Sequence, residues 1–305
     1  MERFEVNILG CGAAVPTNRH MTAAQLINIH DKLFLVDCGE GTQTQIWKYG
    51  IRVTNMNHIF ISHAHGDHFF GVVPLVSSLS LMLDRTEDLH LWLPESLKEP
   101  LENDIKQYCS LPFKLIMHSF DPAKHMVLYE DKEMLVETIP LNHGIPCCGF
   151  LFSEKLKLPV LLPEKCLSYG IPPCEFGKIK AGADWILEDG TVVPNSKLTT
   201  PSDFVPRRYA YCSDTAYNPQ MIEQIQGVDL LYHEATFLAK EEQLAASVGH
   251  STATQAAMIA KDANVGQLAI GHYSIRYPEE TELLAEARSV FRNTIATQEG
   301  MTIRL

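Results

Sequence analysis

One short segment, His63-Ala64-His65-Gly66-Asp67-His68, constrains this chain more than any other. It follows an apolar run, Ile59-Phe60-Ile61, and precedes a second that opens at Phe69. Three imidazoles and a carboxylate this close together cannot all converge from a straight strand or a regular helix, but a strand-to-helix turn lets them. Imidazole with carboxylate is a donor set for zinc, and also for manganese or iron. A solvated, histidine-rich loop is the plainer reading; the apolar flanks and the spacing favour metal. Two ions would need donors from elsewhere. Candidates follow apolar strands at His143, Asp214 and His272. Each alone would more often be a capping or hydrogen-bonded residue, yet all three occupy the same niche, the C-terminal end of a strand.

The apolar pattern alternates strands with helices. Strands are expected at 6–9, 25–29, 33–36, 58–62, 89–93, 115–120, 126–129, 134–141, 208–212, 229–232 and 267–271, with a final pair near 294–298 and 301–305. Helices are expected at 42–48, 69–82, 95–108, 219–226, 238–248, 251–264 and 279–291. Ser251 or Thr252 offers an N-cap to the Ala-rich run that follows. This order predicts an α/β (α+β) fold of two packed sheets with helices outside. Residues 156–202 stand apart. They hold six prolines and little clean periodicity, so they read as an inserted arm with a short helix near 163–169 and a hairpin around Asp189-Gly190.

Composition excludes several classes. Of 305 residues, 46% are hydrophobic and 20% charged, which is ordinary for a globular chain. No apolar stretch is long enough to span a membrane. The opening Met1-Glu2-Arg3-Phe4-Glu5-Val6 lacks the basic, then apolar, pattern of a signal peptide, so the expected location is cytoplasmic. The eight cysteines form no C-x-x-C pair and are expected to be reduced. Net charge is −12, which disfavours nucleic acid on average. Residues 151–210 nevertheless carry eight basic and seven acidic side chains, a local excess of +1 against −13 for the rest.

The H-x-H-x-D-H pattern with later His, Asp and His resembles the metallo-β-lactamase fold, a four-layer αββα sandwich. Further segments bring the resemblance closer to the ribonuclease Z family of tRNA 3′-processing endonucleases. They are the glycine-rich opening Gly10-Cys11-Gly12-Ala13-Ala14-Val15-Pro16, Asp37-Cys38-Gly39-Glu40-Gly41-Thr42, His233-Glu234-Ala235-Thr236 and His250-Ser251-Thr252. The resemblance runs through nearly the whole chain, in order. Two departures stand out. The stretch Gly170–Lys180, matching the tip of the family's protruding tRNA-gripping arm, keeps Lys178 and Lys180 but lacks the Gly-Pro pair. Arg19-His20 stands where the family favours Arg-Asn.

The resemblance implies two zinc ions per chain, with manganese as an alternative: His63, His65 and His143 on one, Asp67, His68 and His272 on the other, and Asp214 bridging. Asp67, able both to touch metal and to accept the proton of a water, is the candidate general base, and the resemblance implies His250 as general acid oriented by Glu234. Asp37 would orient a ligand imidazole from behind, while Glu40 and Thr42 read equally well as caps of the next helix. The implied reaction removes the 3′ trailer from precursor tRNA, leaving a 3′-hydroxyl on the tRNA and a 5′-phosphate on the trailer. Residues 156–202 would be the tRNA-binding arm, and the assembly a homodimer. Two other classes compete: a hydrolase of the same fold acting on a small ester, thioester, lactam or phosphodiester, and an RNA-binding scaffold without metal. The arm and the His-Glu-Ala-Thr segment speak against the first, and the filled ligand positions against the second.

Overall fold

The computed structural model describes residues 2–82 and 85–305. Alternation of side chains sorts the apolar residues onto two faces of each strand. Along Lys32–Val36, Leu33 and Leu35 join a buried cluster with Ile46, Val72, Leu75, Val76, Leu97 and Leu101. Those six belong to three helices, Thr42–Lys48, Val72–Met82 and Glu95–Tyr108. Phe34 packs instead against Phe60 and Phe152, with ring centroids 6.3 and 5.9 Å apart. A buried aromatic of this kind contributes roughly 3–5 kcal/mol, judged by truncation to Ala.

The strands of the larger unit run in chain order as β1 (Phe4–Gly10), β2 (Ala24–Ile29), β3 (Lys32–Val36), β4 (Met56–Phe60), β5 (Leu89–Pro94), β6 (Leu115–Phe120) and β7 (Val127–Glu130). There follow β8 (Met134–Leu141), β9 (Cys147–Glu154), β10 (Arg208–Cys212), β11 (Leu230–Glu234), β12 (Gln267–Gly271), β13 (Thr294–Ala296) and β14 (Thr302–Arg304). They make two seven-stranded sheets, ordered β14-β1-β2-β3-β4-β5-β6 and β13-β12-β11-β10-β9-β8-β7. Strands β3 to β6 are parallel, as are β10 to β13. Aromatic side chains of both sheets meet between them: Phe60 packs on Phe150, and Phe34 meets Phe152 edge-on. Helix Ala253–Asp262 covers β11 and β12, and Thr281–Val290 lies against it and β13. The layers are therefore helix, sheet, sheet, helix. Parallel strands bring their C-terminal ends to one rim, where open α/β sheets place their ligands.

Several sequence expectations are corrected. Strand β9 was not expected, yet it lies in the second sheet and is almost wholly buried. Covered on both faces, it shows no alternation. Its Gly149 leaves no room for a side chain, because a Cβ there would sit 2.1 Å from Tyr211 O. The helix expected over 69–82 is two, Gly66–Phe69 and Val72–Met82. They part at Gly71, whose N–H donates to Cys38 O and whose Cβ would strike Gly39 O. The helix expected at 219–226 is a single 3-10 turn, Pro219–Met221, capped by Asn218. At 238–248 a 3-10 turn precedes the short helix Glu242–Ser247. The N-cap at the Ala-rich helix is Thr252, in a reciprocal capping box with Gln255. The final pair of strands divides between the sheets, β13 to the second and β14 to the first.

The smaller unit comprises Asp131–Met134 and Glu154–Pro206. It has its own core of Cys166, Ile171, Ile179, Val193 and Leu198. Helix Pro163–Ser168 and the hairpin joining Trp185–Ile186 to Val192–Val193 lie where the sequence places them. A further helix, Phe176–Lys180, was not anticipated. Asn195 ties the unit together, donating to Ile179 O and Ala183 O. Among the described residues all eight cysteines are free thiols. Among the same described residues no helix is long and apolar enough to cross a membrane.

Candidate metal centre

Six segments reach the same rim of the larger unit. The turn after β4 delivers His63, His65, Asp67 and His68, while β8, β10 and β12 deliver His143, Asp214 and His272 at or just beyond their C-terminal ends. Glu234 closes β11. His250 precedes the cap of helix Ala253–Asp262.

The seven expected ligands fall into two clusters, His63, His65, His143 and Asp214 in one and Asp67, His68 and His272 in the other, and Asp214 reaches the second as well. In the first, His65 Nδ1 lies 3.1 Å from His63 Nε2 and 3.2 Å from His143 Nε2. Asp214 Oδ2 is 3.8 Å from both of those Nε2 atoms. In the second, Asp214 Oδ1 lies 3.0 Å from His68 Nε2 and 3.3 Å from His272 Nε2. Asp67 Oδ2 is 3.7 Å from each of those two nitrogens. One carboxylate thus turns one oxygen to each cluster. His68 Nε2 and His272 Nε2 are buried without a hydrogen-bond partner among the described residues. Orphaned buried nitrogens are costly unless a cation takes their lone pairs.

The opposite nitrogens are tied down, as in ligating imidazoles. His63 Nδ1 meets Ser62 Oγ at 3.0 Å, His68 Nδ1 meets Asp37 Oδ2 at 2.7 Å, His143 Nδ1 meets Gly249 O at 2.8 Å and His272 Nδ1 meets Thr236 Oγ1 at 3.0 Å. Asp37 is fully buried and also accepts from Ser62 N, Ser62 Oγ and Tyr211 OH. Thr42 turns its hydroxyl back to Gly39 O and leaves its helix without a side-chain cap.

The electrostatics fit a cation. Burial, reinforced by His68, holds His63 well below the ordinary imidazole value, so it is neutral and ready to ligate. Burial also opposes charge on His68, but Asp214 and Asp37 outweigh it and raise its affinity for a proton, whose place on Nε2 a bound cation would take. For Asp67 burial is again outweighed, by His272 and His68, and the carboxyl is held below the usual range. A divalent ion would supply the positive charge that these carboxylates now draw from protons. The donor chemistry and the unpartnered nitrogens therefore fit a divalent metal.

Glu234 is fully buried and makes four contacts. Its Oε1 accepts from Thr215 N at 2.6 Å and from His250 Nδ1 at 2.9 Å; its Oε2 accepts from Thr236 Oγ1 at 2.6 Å and Ser251 N at 3.0 Å. Burial lowers the affinity of His250 for its proton, but Glu234 overrides this and lifts the value to about 9. The His250 ring lies 5.1 Å from that of His143 and 5.4 Å from that of His272, so it borders both clusters.

Sequence reasoning missed the backbone donor of the site. Ala14 N donates to Asp67 Oδ2 at 2.8 Å. Ala14, Asp37 and His272 all have positive φ, at 64°, 53° and 58°. Such backbones cost on the order of 1–3 kcal/mol each and persist where surrounding contacts enforce them. The glycine-rich opening was the signal for the first of these. A cavity of about 530 Å³ lined by Ala14, Asp67, Phe70, Asp214, His250 and His272 opens the centre to solvent.

Comparison with known proteins agrees with this geometry. Residues 4–157 match the family model described as anti-Pycsar protein Apyc1, and residues 203–273 the beta-lactamase superfamily domain. Ribonuclease Z of Bacteroides fragilis strain YCH46 is 49% identical over 306 residues, covering all of both chains. Ribonuclease Z of Phocaeicola vulgatus is 50% identical, covering all of this chain and 98% of its own. The crystal structure of human tRNase Z, short form, superposes with a TM-score of 0.71 at 24% identity over 98% of each chain, which shows the shared fold. With half of its residues identical to such relatives from end to end, and the metallo-β-lactamase architecture beneath them, this chain belongs to the ribonuclease Z family.

Proposed function

We propose that this chain is the metal-dependent endoribonuclease that removes the 3′ trailer from precursor tRNA, with the site residues in the roles below. The observation that carries the site assignment is the Glu234–His250 pair set beside two ligand clusters bridged by Asp214. His63, His65 and His143 would hold one ion, Asp67, His68 and His272 the other, and Asp214 both. The imidazole and carboxylate donors suit zinc, with manganese the alternative. Such a pair, when bound, polarises the phosphoryl oxygens and makes a water nucleophilic near neutral pH.

The chain's own groups then manage the protons. Asp67 accepts the proton of the attacking water while Ala14 N–H fixes its carboxylate. Glu234 takes the Nδ1 side of His250 and keeps the ring protonated. Nε2 is left to give a proton to the 3′ oxygen as its bond to phosphorus breaks. The tRNA leaves with a 3′-hydroxyl and the trailer with a 5′-phosphate. Residues 156–202 would supply tRNA affinity through their lysines, since phosphate contacts bind without touching chemistry. Lys180 is exposed there, whereas Lys178 already pairs with Glu175 at 2.7 Å. We read the working assembly as a two-fold homodimer in the cytoplasm, the arm of one subunit gripping tRNA cut in the other.

The test is cleavage of a 3′-extended tRNA precursor with the cut mapped to the nucleotide. A cut at the tRNA boundary is expected. A protein that hydrolyses bis(p-nitrophenyl) phosphate yet leaves the precursor whole would instead be the small-substrate hydrolase.

A further inference from the structure

A second set of metal donors lies away from the histidine-aspartate centre. Cys11 follows β1, His20 ends the opening loop, and Glu299 lies between β13 and β14. Cys11 Sγ is 3.4 Å from His20 Nδ1 and 3.5 Å from Glu299 Oε1, and those two atoms are 3.3 Å apart. For Zn–S of about 2.3 Å and Zn–N or Zn–O of about 2.0–2.1 Å, the edges of a tetrahedron are about 3.3–3.6 Å. All three donor separations fall in that range.

From this geometry we infer a further zinc site, formed by Cys11, His20 and Glu299, that pins the opening loop to the segment before β14. Three other observations agree. First, His20 Nε2 meets Glu280 Oε1 at 2.8 Å, the carboxylate partner that a ligating imidazole commonly has on its other nitrogen. Second, a cavity of about 280 Å³ lies against two of the three donors, His20 and Glu299, and against Glu280. Third, thiolate and carboxylate together neutralise a divalent ion, so its burial carries no net charge. Binding would release the thiol proton of Cys11 and the proton on His20 Nδ1. Without metal the thiol stays protonated, since burial and Glu299 both hold it well above its ordinary value. The site's effect on the other centre would run through the loop itself, because Ala14, three residues after Cys11, fixes Asp67.

The competing account is a metal-free clamp in which a protonated His20 bridges Glu280 and Glu299. Cobalt distinguishes the two. The ligands assigned to the other centre are imidazole and carboxylate only, so any sulfur-to-cobalt charge-transfer band in the near ultraviolet must come from a cysteine site. Full-length protein reconstituted with Co²⁺ should show that band, and Cys11→Ser should abolish it. Elemental analysis of the zinc-loaded protein should find one ion fewer per chain in Cys11→Ser. Should that variant fail to fold, Glu299→Gln should lower the count by one and abolish the band. A cobalt protein with no such band, a band unchanged in Cys11→Ser, or equal metal content in the foldable variants would overturn the site. None of these readouts depends on RNA cleavage.

Discussion

Replacing Glu234 by Gln isolates the charge that tunes His250. The shape is kept, but one oxygen becomes an NH₂ group among four donors, two of them the backbone N–H groups of Thr215 and Ser251. The amide is best placed where Oε2 was, because Thr236 Oγ1 can turn to accept from it. Ser251 N–H then loses its acceptor, at a cost of about 1–3 kcal/mol. The larger effect is on the proton. With Glu234 present His250 holds its proton up to about pH 9. Without that carboxylate it falls back at least to the ordinary imidazole value of about 6.5. Near pH 8 the protonated fraction drops from about nine in ten to about three in a hundred, a roughly 30-fold loss of active acid. Near pH 6 both forms are mostly protonated and the loss shrinks to about 1.3-fold. An acid must be protonated to act, so the deficit has to grow as pH rises. The assay is single-turnover cleavage of a precursor tRNA from pH 6 to 9 for wild type, Glu234→Gln and His250→Ala. The double variant should be no slower than His250→Ala alone, since the two residues act as one unit. A Glu234→Gln deficit that is the same at pH 6 and pH 8 would refute the reasoning and leave Glu234 as a scaffold for the backbone alone.

His65→Ala and Asp214→Ala should each abolish cleavage and lower bound metal, with Asp214→Ala losing more because it serves both clusters; full activity in either would end the two-ion assignment. Asp67→Ala should fold yet lose several orders of magnitude in rate, whereas a tenfold loss at unchanged metal content would move the base elsewhere. Deleting residues 156–202 across a short linker should leave hydrolysis of a small phosphodiester nearly intact and raise KM for precursor tRNA strongly, with Lys178→Ala plus Lys180→Ala showing part of that rise; unchanged tRNA cleavage would deny the arm a recognition role. Sedimentation should show a dimer, and a stable monomer with full tRNA-processing activity would exclude the shared-arm arrangement.

The candidate donors His63, His65, Asp67 and His68 were readable because all four sit together in a turn between two apolar runs. His143, Asp214 and His272 were readable because each follows a strand whose apolar run is plain. Strand β9 was not, because Cys147 to Phe152 is buried on both faces, and periodicity alone does not tell a short buried strand from a buried helical segment. The break at Gly71 depends on how close Cys38 and Gly39 come in the fold, which local propensity does not encode. Backbone donors escape any reading of side-chain types, and Ala14 on Asp67 is the clearest instance. Nor does the pairing of Cys11 with Glu299 leave a trace in sequence, for 288 positions separate them.

The wide scatter of the metal donors also bears on how the molecule is made. The ligands proposed above are drawn from stretches between residue 63 and residue 272, and both sheets must form before the stretches meet. Contacts of such long sequence separation form late and slowly. On the ribosome, a nascent chain that has not passed residue 272 lacks a donor of the second cluster. Bringing Glu234 to His250 likewise waits on β11 and the helix beyond it. The capacity to cut RNA would therefore arrive all at once, only after residue 272 has been made, and products truncated before it would be inert. Stray hydrolysis of messenger or ribosomal RNA by half-made copies would be prevented by topology alone.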